Sequence, residues 1–146
     1  MKKVERWYYD RVKIFYRTLL VFVAAFTLNL IWEHLHSALY VSYQGGAITN
    51  LILLRAALFD AAVIALFSYP FLHLQVLKRR RWMMYLTLII FAIVLEKWAL
   101  MTGRWAYTSA MPIIPILNIG LTPAVQLGML GYFSNKVSDF VKTRMR

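Results

Sequence analysis

Cysteine is absent from this 146-residue chain. That excludes disulfides, thiolate-bound metals, iron–sulfur clusters and a cysteine nucleophile. Acidic residues are scarce too, six against 17 Lys and Arg, for a net charge of +11. Charged residues of either sign make up only 16% of the chain, against ~25% in an average soluble domain. There are six glycines and four prolines, with no Ser/Gly-rich linker and no internal repeat. No phosphate-cradling glycine loop occurs, and Ser37 and Ser42 near His34 and His36 lack a Gly-x-Ser-x-Gly elbow. What remains is apolar, 61% of residues, and one membrane domain over residues 1–146 is the expectation.

Four apolar stretches stand out, at residues 18–39, 48–74, 82–101 and 111–133. Each reaches the ~20 residues that carry a helix across a ~30 Å hydrocarbon core. Their length decides for helix over strand. The basic residues lie between them in three clusters: Lys2, Lys3, Arg6, Arg11, Lys13 and Arg17; Lys78 to Arg81; and Lys142, Arg144 and Arg146 with Lys136. The loops at 41–47 and 103–110 hold one basic residue, Arg104. This alternation predicts an all-α protein of four transmembrane helices with both termini cytoplasmic, suited to a bacterial inner membrane. The clusters are topology signals and contacts for anionic lipid headgroups; no nucleic-acid partner is expected, because no basic stripe lies on a soluble face. Residues 2–17, basic and rich in Trp7, Tyr8, Tyr9, Phe15 and Tyr16, read as an interfacial helix on the inner leaflet or as a solvated lead-in. No cleavage site follows them, so no signal peptide is expected. In the fourth stretch, Pro112 and Pro115 suit a helix start, whereas Pro123 should kink the helix.

Three carboxylates, Glu33, Asp60 and Glu96, fall inside three different apolar stretches. An ionisable group in hydrocarbon costs roughly 2.5–3.5 kcal/mol even on insertion scales, and so needs a partner, a wet cavity or a task. Glu33 lies ~22 Å from Thr18 and Glu96 ~21 Å from Trp82, while Asp60 lies ~18 Å from Ile48. All three therefore belong to one polar pocket toward the outer side, and they are the candidate catalytic residues. Asn29, Glu33, His36 and Tyr40 follow helical spacing and form one inward stripe. Asn118, Thr122 and Gln126 repeat every four residues, as a polar stripe of the fourth helix that glues helices or lines the pocket.

Glu33-x-x-His36 matches the pair used by carboxylate di-iron bundles, but no second pair exists. A mononuclear site of Glu33, His36, Asp60 and Glu96 is conceivable, with Arg55 and Lys97 competing for the same carboxylates. The expectation is that neither metal nor cofactor is bound. Haem in particular needs two histidines at one depth, and His73 lies at the opposite end from His34 and His36. Arg55 is rotated ~140° from Asp60 on the same helix, which leaves it to snorkel or to pair with Glu33 or Glu96. Lys97 points ~100° away from Glu96.

Downstream of Glu96 runs Thr102-Gly103-Arg104-Trp105-Ala106-Tyr107, then Met111-Pro112 and Pro115. Trp105 and Tyr107 are natural interface anchors or an aromatic lid over the pocket, and Arg104 could meet an anionic headgroup. An acid followed by Gly-x-Trp-x-Tyr and proline resembles the short helical repeats of integral-membrane lycopene cyclases and related carotenoid hydratases. The resemblance implies that Glu96 is an acid and that Trp105 and Tyr107 are aromatics facing a carbocation. Those families place acidic residues after the later proline, where this chain has the amides Asn118 and Gln126. Asn29 to Tyr40 (Asn-x-x-Trp-Glu…Leu-Tyr) and Gly-Arg-Trp-x-Tyr also resemble small bacterial membrane proteins that carry no assigned function.

Three functional classes follow. The first is an intramembrane enzyme doing acid–base chemistry on a lipid or isoprenoid, with Glu33 or Glu96 as acid, Asp60 as base and aromatic faces steadying a cation. The second is an assembly, accessory or binding protein, monomeric or a homo-oligomer, whose buried charges are structural ion pairs. The third is an ion-coupled transporter with the acids as a relay.

Overall fold

A computed structural model describes residues 3–144, with side chains from Arg11 onward. The sequence readings at Trp7, Tyr8, Tyr9 and the terminal Lys2 and Arg146 lie outside the described side chains. Helix α1 (Lys3–His36) runs unbroken for 34 residues and ends in a 3-10 turn, Ser37–Leu39. No glycine or proline interrupts it, so the basic lead-in is continuous with the apolar part rather than a separate element. Strand β1 (Tyr40–Tyr43) follows, then α2 (Asn50–His73), the single turn α3 (Gln75–Lys78) and α4 (Arg81–Met101). Strands β2 (Trp105–Tyr107), β3 (Ile113–Ile114) and β4 (Ile119–Gly120) lead into α5 (Leu121–Arg144).

Three helices are long and apolar enough to cross a membrane, over Arg11–Leu39, Asn50–His73 and Arg81–Met101. Local chemistry sets their ends. The Thr49 side chain caps α2 by accepting from the Ile52 N–H. At the other end Leu74 closes the helix on the Pro70 carbonyl at 2.9 Å.

The fourth apolar stretch departs from expectation. Residues 111–120 are not helical: Ile113 pairs with Gly120 and Ile114 with Ile119 across a turn in which Asn118 adopts φ +52°. Pro112 and Pro115 cannot supply the N–H groups of a helix interior, and a short hairpin uses the remaining donors. Asn118 is thereby exposed in that turn instead of joining a stripe with Thr122 and Gln126. Pro123 becomes the third residue of α5, where its missing N–H would have no intrahelical partner in any case, so the expected kink has no cause. Helix α5 then extends past Phe133 to Arg144, and these polar additions leave it below the apolarity of the other three.

The termini of the helices gather at two ends. At the basic end Arg17 donates to the Leu72 carbonyl at 3.4 Å, Thr18 meets His73 at 3.2 Å, and Arg17 and Arg81 both pair with Asp139. At the opposite end β1 and β2 form an antiparallel ribbon, with Tyr40 opposite Tyr107 and Tyr43 opposite Trp105. Aromatic and β-branched residues favour such pairing. The turn after β1 carries Gln44 at φ +49° and Gly45 at φ +76°, the two left-handed positions of a type I′ turn. Between the two ends, Val21, Ala25, Ala61, Ile64, Met84, Leu88 and Leu130 form the dry centre of the bundle.

Candidate functional site

The ribbon end of the bundle encloses a cavity of about 480 Å³ lined by residues of α1, α2, α4 and α5 and by the ribbon. Its wall is largely apolar, but Glu33, Asp60 and Glu96 all line it. Asp60 and Glu96 are buried at 9% and 3% exposure.

Gln126 is the hub. Its Nε2 donates to Glu33 Oε1 at 2.7 Å, to Asp60 Oδ2 at 2.8 Å and toward Asn29 Oδ1 at 3.2 Å. An amide nitrogen carries two hydrogens, so three acceptors compete for two donors. Asn29 is fixed from behind, its Nδ2 donating to the Ala25 carbonyl at 2.8 Å. Asn29, Glu33, Asp60 and Gln126 are thus brought together from three helices. Gln126 reaches that position because α5 starts at Leu121 and turns the buried face Pro123, Ala124, Gln126 and Leu127 inward.

Glu96 is held separately. Tyr107 and Trp105, both on β2, donate to its Oε1, the indole Nε1 at 3.1 Å. The Tyr107 hydroxyl in turn accepts the Gly120 N–H at 2.9 Å, which ties β4 to β2. Tyr40 packs its ring 5.5 Å from Tyr107 and 6.0 Å from Trp105. Burial first, then the charges of Glu96, Tyr107, Glu33 and Asp60, push the Tyr40 hydroxyl far above the ordinary phenol range. Burial and the hydrogen bond to Glu96 likewise raise Tyr107.

His36 is drawn away from the acids. Its Nε2 meets the Thr122 hydroxyl at 2.5 Å, and its ring lies between Trp32 and Tyr40, 5.5 and 5.3 Å away. Among the described residues no group of three or more His, Asp and Glu is arranged to hold a metal ion. The four-ligand set Glu33, His36, Asp60 and Glu96 is therefore not gathered as one metal site among the described residues.

The cations also depart from the ion-pair reading. The ion pairs between described residues are Arg17–Asp139 and Arg81–Asp139; none includes Glu33, Asp60 or Glu96. Lys97 donates instead to the Leu117 carbonyl at 3.0 Å, and Arg55 and Arg104 line the cavity without a carboxylate partner among the described residues.

Sequence reasoning missed Tyr43, Ser42, Phe59 and Pro123 as cavity residues. The Tyr40-Val-Ser-Tyr43 segment carried a usable signal, since two aromatics flank a β-branched residue just before a Gly-Gly turn. Phe59 and Pro123 carried none, because their place depends on how the helices pack. No protein-family model, no curated protein and no solved structure matches the chain.

Proposed function

We propose that the chain is an integral membrane enzyme performing acid–base chemistry on a lipid or isoprenoid inside the cavity at the ribbon end. The supporting observation is the meeting of Glu33 and Asp60 on one amide nitrogen, with no cation paired to either among the described residues. Two like charges at that separation repel, and the donor count at Gln126 falls short. One proton shared by Glu33 and Asp60 relieves both problems. The pair then holds a proton to give to a double bond and a base to remove one from the neighbouring carbon. Glu96, backed by Tyr107 and Trp105, is the second acid. It sits among the residues on which the resemblance to lycopene cyclases and carotenoid hydratases rests.

In this reading α5 supplies a fourth crossing, sheltered by the other three helices, so its polar residues face protein rather than lipid. The basic end is cytoplasmic and the ribbon end external, in a bacterial inner membrane. The anionic lipids of the inner leaflet meet the basic clusters.

Purified protein in vesicles, supplied with a total lipid extract that includes phosphate-headed isoprenoids, in D2O, tests the chemistry. Acid–base catalysis at carbon places deuterium in a lipid or isoprenoid product detectable by mass spectrometry. The label is expected to disappear in Glu33→Gln, Asp60→Asn and Glu96→Gln variants that still fold. A wild-type protein that labels nothing, or folded variants that label equally, would end this reading.

A further inference from the structure

Arg55 and Arg104 line the same cavity as the three acids. Arg104 lies over the Trp98 ring, 4.5 Å from its centroid, and gives one long bond of 3.5 Å to the Tyr43 hydroxyl. Arg55 enters no ion pair between described residues. A guanidinium presents a planar fork of N–H donors suited to an oxyanion; exposed Arg55 and half-buried Arg104 both contribute to the cavity lining, and neither pairs with a carboxylate among the described residues. Each arginine lies on the ribbon side of an acid: Arg55 precedes Asp60 by about 7.5 Å of helix, and Arg104 follows the end of α4 beyond Glu96. Ile48 and Ile52 line the cavity on the ribbon side of Arg55, and Phe59, Ala92, Leu95 and Leu127 line it further from the ribbon. The arginines therefore stand toward the ribbon from Asp60 and Glu96, with an apolar wall running past the acids.

We propose that the cavity takes an amphiphile with a phosphate head, clamped by Arg55 and Arg104, and a single apolar chain laid along Phe59, Leu95 and Leu127. The cavity's purpose rests on the acid–base reading above, but head recognition does not require turnover. Paired guanidiniums recognise phosphate through bidentate, charge-assisted hydrogen bonds, which a neutral alcohol cannot match. The head would hold the chain so that the bond reached by the Glu33–Asp60 pair lies a fixed distance below it.

Trp98 and Trp105 line the cavity, so their fluorescence reports occupancy in a non-ionic detergent. Farnesyl phosphate is expected to bind the full-length protein about tenfold or more tightly than farnesol, because only the phosphate uses the guanidiniums. Arg55→Gln and Arg104→Gln should each bring farnesyl phosphate down to farnesol's affinity and leave farnesol's own unchanged. Equal binding of the two ligands by the wild type overturns the proposal. Inorganic phosphate that displaces farnesyl phosphate at equal concentration also overturns it, since the site would then take a free anion and not an amphiphile. Should both Gln variants fail to fold, the wild-type ratio decides, with Arg55→Lys and Arg104→Lys expected to weaken the preference by loss of the fork. The same titration on Glu33→Gln separates the two readings. A retained head preference without deuterium transfer sinks only the acid–base reading. Labelled neutral lipid without head preference sinks only this one.

Discussion

Glu96 shows how much a single buried carboxyl depends on its donors. Tyr107 and Trp105 both give their hydrogens to Oε1, and a glutamine in its place keeps an oxygen to accept them. Glu96→Gln is therefore expected to change stability by less than about 1 kcal/mol, the net worth of a typical hydrogen bond, while abolishing deuterium transfer. Were Glu96 half of a hidden ion pair, the same change would leave a buried cation alone and cost about 3–5 kcal/mol. A thermal melt in detergent tells the two apart, and collapse of the melting temperature would restore the scaffold reading. The two tyrosines make a pH-dependent statement. Burial raises both hydroxyls above the ordinary phenol value of 10.0. A group whose folded pKa is raised contributes stability that is whole below its unfolded value and is lost as the pH climbs past it. The stability advantage of wild type over Tyr107→Phe should stay constant from mild acid to pH 9 and shrink above pH 10. An advantage that grows there would contradict the buried, neutral phenol.

Among the elements, α4 and α5 approach each other closely at two glycines. A Cβ on Gly128 would meet the Tyr85 carbonyl oxygen at 3.0 Å, and one on Gly131 would meet Leu88 Cδ1 at 2.7 Å. Small residues let helix backbones approach closely in membranes. At Gly128 the obstacle includes backbone, which cannot rotate away as a leucine methyl can. Gly128→Ala should therefore destabilise the protein by about 1–3 kcal/mol, the usual cost of overpacking, and Gly131→Ala by less. Thermal melts of the two variants check the order, and a harmless Gly128→Ala would mean the helices sit further apart. This contact also marks where sequence reading stopped. Apolar length placed α2, α4 and the C-terminal end of α1 to within a few residues, because ~20 apolar residues in a row have few other fates; it missed that α1 reaches back through the basic lead-in to Lys3. The same rule misplaced the last helix. Residues 111–120 are apolar but rich in proline, and they settle as a hairpin. Glu33, Asp60 and Glu96 were legible as a set because charge inside apolar stretches is conspicuous. Gln126 read as helix glue or pocket lining, and it does line the cavity; its role as hub was not legible, since that depends on the register of α5 against α1 and α2, a non-local property. Asn118 was grouped with Gln126 by spacing alone, and the turn at Asn118 broke that spacing.

For the whole molecule, the separation of charge is the organising fact. Arg17, Arg81 and Asp139 join α1, α4 and α5 at one end, and the run Lys78 to Arg81 lies at that same end beside the Leu72 carbonyl that accepts from Arg17. The other end carries the ribbon, the hairpin and the cavity. Moving the basic clusters across a bilayer is costly, whereas the ribbon loops hold one basic residue, so the proposed orientation rests on the charge bias. A reporter inserted in the type I′ turn at Gly45 tests it directly. That turn is exposed, and a Cβ at Gly45 meets nothing within 4 Å, so the insertion disturbs no packing. The Gly45 fusion is expected to behave as external and a C-terminal fusion as cytoplasmic. Both fusions on one side would mean that α5 does not complete a fourth crossing, and an inverted pair would place the cavity mouth toward the cytoplasm. Replacing Lys78 to Arg81 with glutamines should loosen the orientation without touching the cavity. A mixed reporter signal at Gly45 is then the expected outcome, and an unchanged one would show that the N-terminal cluster sets the topology by itself.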